Sequence, residues 1–269
     1  MTAQTLNEMR QLLQRHGLKP RTSLGQHFLA DPNLTRRIVA TAGIGRGDRV
    51  LEVGPGTGTL TRQLVAAGAE VTAIEVDEQL RPVLEETMEG LAVKLLFRDA
   101  AAVDYQELLG SGPWKVVANL PYQIGTQLVL DWLRLVPAIT DMTVMVQLEV
   151  AQRMAAPPGS RAYGLPSVVA GLHADLKIAF RVPPHVFYPP PQVESAVVRV
   201  IRKEASPGAA RAIELAAAGF GQRRKMLRGS LSVIIPNAEE FLRSAGIDPT
   251  KRAEDLAPAD YLRLAEAAS

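Results

Sequence analysis

Three polar features in the first half of the chain have the types and spacing needed to hold a nucleoside. The run Val50-Leu51-Glu52-Val53-Gly54-Pro55-Gly56-Thr57-Gly58 joins an apolar stretch to a helical pattern. Its glycines, Gly54 and Gly56 above all, permit a tight turn and close backbone approach to a ligand. Glu75 ends the next apolar run, 21 residues after Gly54. An ionised carboxylate is acceptor-only, so Glu75 suits the two vicinal hydroxyls of a ribose. Asp99, in Arg98-Asp99-Ala100, ends a third run and can accept from the amino group of a purine. Asp77 is assigned instead as the cap of the helix that follows it. A dinucleotide fingerprint GxGxxG would require glycine at 59, where Thr59 stands.

Asn119-Leu120-Pro121-Tyr122 follows a fourth run and is the most specific motif in the chain. It fits the [DNS]-[IL]-P-[YF] pattern of methyltransferases that act on amino groups of adenine, cytosine or glutamine. An exocyclic adenine nitrogen is a poor nucleophile because its lone pair is delocalised into the ring. Accepting its two protons on the Asn119 side-chain oxygen and the Leu120 carbonyl favours a pyramidal nitrogen with its lone pair aimed at a methyl group. The same acceptors stabilise positive charge developing on that nitrogen. No strong base is needed, and orientation of the reactants is worth roughly 7–11 kcal/mol. Tyr122 is expected to stack on the target base, for about 1–3 kcal/mol. Phe187 opens the proline-locked segment ending at Ser195 and is expected to close over the opposite face of that base. The Glu-x-Gly-x-Gly-x-Gly form of the glycine run resembles motif I of class I methyltransferases, which implies S-adenosylmethionine as cofactor.

These residues must be positioned by a regular framework. Arg49–Val53, Glu70–Glu75, Ala92–Phe97, Trp114–Asn119 and Met142–Leu148 read as strands buried on both faces. Thr59–Ala67, Glu78–Met88 and Thr126–Val136 show helical spacing between them. The alternation predicts an α/β fold with a doubly wound, mostly parallel sheet, whose strand ends converge on one ligand crevice. Leu6–Arg15 and Asn33–Ala42 predict two helices before it, the second led by Asp31-Pro32. Beyond residue 150, a helix near Ser167–His173 precedes strands at Lys177–Val182 and Ala196–Ile201, expected as an antiparallel edge. Ser206-Pro207-Gly208 marks a boundary, so residues 1–205 are assigned to a catalytic domain and 206–269 to a small helical domain.

Composition bounds the remaining possibilities. With 47% hydrophobic and 22% charged residues, the chain can bury a substantial core. The stretch Leu128 to Ile139 is interrupted by Asp131, Arg134 and Pro137, so no membrane span is expected. Residues 1–17 are polar, with no apolar core of a signal peptide, so export is not expected and a cytoplasmic location is. Four histidines and no cysteine exclude a disulfide framework or zinc-thiolate centre, and no metal is expected. The net charge is only +2, yet Arg199 to Gly229 holds eight basic residues against two acids. Within that excess, Arg223, Arg224, Lys225 and Arg228 are the candidates for RNA phosphate contact.

Together these motifs resemble the ribosomal RNA adenine N6,N6-dimethyltransferase family of the RsmA/KsgA type over nearly the full length. Ser23-Leu24-Gly25-Gln26-His27-Phe28-Leu29 and Val182-Pro183-Pro184-His185-Val186-Phe187 complete the resemblance. It implies a Rossmann-like class I methyltransferase sheet with a helical C-terminal domain. It further implies dimethylation of two adjacent adenosines in the 3′-terminal hairpin loop of 16S rRNA; the expected substrate is the naked RNA or the immature 30S subunit, and a monomer is expected. Cofactor contacts are implied at His27, Leu29, Gly54, Glu75, Asp99 and Asn119. The family usually has asparagine where this chain has His27, whose ring is expected to donate to the methionine end of the cofactor. The competing expectations are an erythromycin-resistance-type methyltransferase of 23S rRNA and a largely non-catalytic assembly factor on the same fold.

Overall fold

The computed structural model describes residues 4–268; the first three residues of the polar N-terminal stretch and Ser269 lie outside it. Among the described residues nine strands are formed: β1 (Phe28–Leu29), β2 (Arg49–Val53), β3 (Glu70–Glu75), β4 (Val93–Phe97), β5 (Trp114–Asn119), β6 (Ile139–Gln147), β7 (Ala174–Val182), β8 (Phe187–Tyr188) and β9 (Ser195–Arg202). Helices α1 (Leu6–Arg15), α2 (Pro32–Ala42), α3 (Thr59–Ala66), α4 (Arg81–Thr87), α5 (Tyr105–Leu109) and α6 (Gly125–Leu135) accompany the first five sheet strands. The later helices are α7 (Leu148–Met154), α8 (Leu165–His173), α9 (Ala209–Gly221), α10 (Leu227–Ser230), α11 (Ala238–Ser244) and α12 (Pro258–Ala267).

Seven strands form one sheet in the order β4-β3-β2-β5-β6-β9-β7. β2 through β6 pair in parallel, and β9 runs antiparallel to β6. The order of the parallel strands reverses between β2 and β5, which is the switch point at which open α/β sheets take ligands. β2, β3 and β5 are valine- and alanine-rich and almost wholly buried, as strands covered on both faces must be. Local chemistry sets the helix ends. Asp31 caps α2 through bonds from the Asn33 and Leu34 amides, Pro32 occupies its first turn, and Gly43 closes it at φ 58°.

Several elements differ from the sequence reading. The helix expected over Glu78–Met88 divides into a 3-10 turn, Glu78–Leu80, and α4. Pro82 lacks an N–H, so it belongs in the first turn of a helix rather than its interior. β6 begins at Ile139 and ends at Gln147, with α7 starting at Leu148. β1 and β8 are two residues each and pair with one another across the chain, Phe28 with Tyr188 and Leu29 with Phe187.

Contacts divide the chain into two compact units, residues 1–151 with 177–201, and residues 152–176 with 202–269. This differs from the single cut expected at 205/206. Helix α8 belongs with the C-terminal helices because it packs on α9 and α12. A Cβ on Gly171 would lie 2.7 Å from the Pro258 ring, so only glycine permits that approach. Two buried tyrosines complete the second unit: Tyr163 donates to the Leu256 carbonyl and Tyr261 to that of Ala253, both at 2.8 Å. The large apolar core of the first unit lies against the sheet and includes Ile38, Leu64, Val117 and Val197. Among the described residues, no helix is long and apolar enough to cross a membrane.

Candidate active site

A cavity of about 240 Å³ opens at the carboxyl ends of β2, β3, β4 and β5, in the first unit. Gly54, Gly56, Glu75, Asp99 and Asn119 all line it, so the sheet gathers on one arc residues spread over 66 positions of sequence. The glycine turn is held open by its neighbours. Gly56 has φ 59°, and a Cβ there would meet the Phe28 ring at 2.7 Å. Its amide instead donates to Glu75 Oε2 at 3.2 Å.

Glu75 is 5% exposed and is oriented before any ligand arrives. Its Oε1 accepts from the amides of Val76 and Asp77, both at 2.9 Å. A carboxylate offers about four acceptor positions. Three are used by these amides, which leaves Oε2 room for one further donor rather than the two expected. Burial pushes its pKa upward, against the lowering effect of the three amides. Asp99 both caps and faces the site: one oxygen accepts from Ala101 N at 2.9 Å, and its other oxygen stays available at the cavity. Asp77 is the cap it was taken for, accepting from Gln79 N. It also receives Arg21 at 3.0 Å and Gln26 at 2.8 Å, tying the segment before β1 to the cavity rim.

Glu52 sits one residue before the end of β2 and is fully buried, with Thr61 donating to it at 2.6 Å. Burial, reinforced by the nearby Glu75, pushes its pKa up to about 8 from an ordinary 4.5. The folded state therefore holds a proton that the unfolded chain releases between these values, and stability falls as pH rises through that window. Glu52→Gln is expected to be more stable than the parent by a few kcal/mol, on the order of 1.4 per pH unit, at pH 8. The advantage should vanish near pH 4; denaturant titrations at both pH values measure it.

The reaction-centre motif leaves β5 directly. Asn119 donates through Nδ2 to the His27 carbonyl at 3.0 Å. That carbonyl can only accept, so the amide must turn its NH2 toward it, which leaves Oδ1 as a free acceptor. Leu120 N donates to Met145 O at 3.1 Å, while no described donor reaches the Leu120 carbonyl. Pro121 O closes the turn into α6 by accepting from Ile124 and Gly125. Tyr122 is half-buried, its hydroxyl 2.5 Å from Ser195 Oγ and its ring stacked on His27 at 5.6 Å and 28°. Ser195, buried at the start of β9, was not singled out from sequence; 73 residues separate it from Tyr122 and no motif links them.

Two expected site residues lie elsewhere. Phe187 is 3% exposed in the main core and is not among the residues that line the cavity. The pairing with Leu29 in a two-residue ladder sends it into the core, and the following Tyr188 packs in a different cluster. Leu29 is likewise a core residue, bordering only a void of about 20 Å³ behind the glycine turn. His27 does line the cavity, but its Nδ1 lies 2.7 Å from the Pro189 carbonyl and must donate to it. The other ring nitrogen of a neutral imidazole is an acceptor, so a donating contact to the cofactor requires the imidazolium.

The glycine cradle and the acidic pair suit a cationic nucleoside that carries a diol and an amine. Glu75 and Asp99 would hold its ribose and adenine, with Gly54 and Gly56 beneath. This sheet order and site define a class I S-adenosylmethionine-dependent methyltransferase. A model of ribosomal RNA adenine dimethylases matches residues 17–269. The chain belongs to that ribosomal RNA adenine dimethylase family. Ribosomal RNA small subunit methyltransferase A of Phenylobacterium zucineum (strain HLK1) is 45% identical, over 99% of this chain and 94% of that protein. The protein of the same name from Chelativorans sp. (strain BNC1) is 46% identical, over 98% and 99%. Among solved structures, a dimethyladenosine transferase from Plasmodium falciparum superposes with TM-score 0.77 at 25% identity, covering 88% of this chain and 96% of its own. The 23S rRNA methyltransferase ErmE superposes at 0.70 with 28% identity, covering 89% and 98%.

Proposed function

We propose that this enzyme places two methyl groups on N6 of each of two adjacent adenosines in the 3′-terminal hairpin loop of 16S rRNA, within the assembling 30S subunit. The orientation of the Asn119 amide carries the reading. With Nδ2 committed to His27 O, Asn119 Oδ1 and the Leu120 carbonyl are two unshared acceptors at the end of β5, matching the two protons of an adenine amino group. When bound, S-adenosylmethionine supplies an electrophilic methyl on a sulfonium. Asn119 and Leu120 hold the amine and keep its lone pair off the ring. Tyr122, fixed by Ser195, offers an aromatic face to the base. Gly54, Gly56, Glu75, Asp99 and Asn119 make up the cofactor side.

The names of the relatives that match over nearly their whole length favour the small subunit, and the large-subunit and non-catalytic readings are not favoured. A monomer working in the cytoplasm is consistent with this assignment. Incubation with labelled cofactor and either undermethylated 30S particles or 23S rRNA, followed by nucleoside analysis, tests it. N6,N6-dimethyladenosine confined to the 30S arm is expected; label in 23S rRNA alone would overturn the reading.

RNA contact is proposed for the second unit, with weights set by its ion pairs. Arg223 pairs with Glu254 at 2.8 Å and donates to the Arg161 carbonyl, and Arg228 lies 3.5 Å from Glu239. Arg199, also in the basic run, pairs with Asp141 inside the sheet. Arg224 and Lys225 have no ion pair among the described residues. Neutralising those two is expected to lower the slope of log affinity against log salt by about 1.5, as measured by filter binding from 50 to 200 mM salt. Neutralising Arg223 and Arg228 should lower it less, because each already faces a carboxylate.

A further inference from the structure

We propose that His27 is a positioning residue for the base-binding side of the site, aligning Tyr122 with the proline segment after β8. The proposal rests on Tyr122 being the surface against which the target base stacks. Its starting point is a deficit in the sequence Pro189-Pro190-Pro191, which has three carbonyls and no backbone N–H. The segment cannot satisfy the Pro189 carbonyl from within itself. His27 Nδ1 supplies the donor at 2.7 Å, from a residue 162 positions away.

That bond also fixes the plane of the imidazole, and the fixed ring covers one face of Tyr122 at 5.6 Å and 28°. The tyrosine is thereby held at two points, by His27 on its ring and by Ser195 on its hydroxyl. Its second face remains for a base. The backbone of the same residue adds a third tie, since His27 O accepts from Asn119 Nδ2. One residue therefore touches the amine-binding side chain, the aromatic platform and the segment leading into β9. An asparagine at this position can offer an N–H but no ring. The aromatic contact thus belongs to the histidine of this chain.

The ring and the donor can be separated by substitution. His27→Asn keeps a side-chain N–H without the ring, His27→Phe keeps a ring without the N–H, and His27→Ala removes both. Single-turnover methylation of undermethylated 30S particles and cofactor affinity by calorimetry are measured for each, beside the parent. His27→Ala is expected to lower the single-turnover rate by about 10–100-fold, the scale of a misplaced reacting group. Cofactor Kd should stay within about threefold of the parent, a shift of under 1 kcal/mol. The Asn and Phe variants are expected to fall between the parent and Ala. Rates equal to the parent in all variants would overturn the proposal, as would a loss explained wholly by weaker cofactor binding. If the Ala variant does not fold, the Asn and Phe variants decide alone, since both must be slow with unaltered cofactor Kd. A parent enzyme that forms no methylated adenosine would instead remove the functional reading on which this one rests.

Discussion

Asn119→Ala is expected to lower the rate of methyl transfer by about 10²–10³-fold, the usual loss when one group aimed at developing charge is removed. RNA affinity should persist if, as proposed, phosphate contacts in the basic segment carry most of it. The aspartate variant is the sharper test. Asn119→Asp keeps acceptor oxygens for the adenine amine but replaces the NH2 that donates to the His27 carbonyl. Two acceptors would then face each other, so the carboxylate must turn away and Oδ1 loses its position. Asn119→Asp is therefore expected to be nearly as slow as Asn119→Ala, despite retaining the oxygen. Single-turnover assays with saturating cofactor separate the outcomes. Substantial activity in Asn119→Asp would mean that the amide bond to His27 does not orient the reacting group.

Glu75→Gln is expected to weaken cofactor binding by about 10–100-fold, the equivalent of one charge-assisted hydrogen bond. The three amides of Gly56, Val76 and Asp77 already point at this side chain. Glutamine can serve some of them with its oxygen, but its NH2 must confront at least one. Alanine would leave all three without their acceptor, at about 1–3 kcal/mol for each that stays buried. Glu75→Ala is thus expected to lose both affinity and thermal stability, whereas Glu75→Gln should lose mainly affinity. Because burial raises the Glu75 pKa, the carboxylate begins to protonate above the ordinary range. Cofactor affinity of the parent should accordingly fall on the acid side of neutrality, and that fall should be absent in Glu75→Gln. Calorimetric titrations across pH 5–8 would show whether it is.

The parallel sheet was legible in the sequence because its strands are continuous apolar runs separated by helical spacing. β3 and β5 end on the polar residues Glu75 and Asn119, and Asp99 follows β4 by two residues. Glu75, Asp99 and Asn119 could be placed near one another on that basis alone, since parallel strands deliver their carboxyl ends to the same edge. The glycine turn carried its own signal, because few other residues take a positive φ cheaply. These are local properties, each written within about ten residues.

What needed the tertiary structure was every contact made across long separations. A two-residue ladder between β1 and β8 has no periodicity to detect, yet it sends Phe187 into the core. The same ladder brings His27 against Pro189 and Tyr122. Whether a histidine nitrogen donates to a cofactor or to a carbonyl depends on which acceptor the fold places within 3 Å, and spacing cannot encode that. The basic run behaves similarly: eight like charges in sequence become several ion pairs once acids from other elements pack beside them. Composition and spacing determined which chemical groups this chain possesses and at which sheet edge they gather. Packing alone decided which of those groups remain unshared, and an unshared group is what a substrate can use.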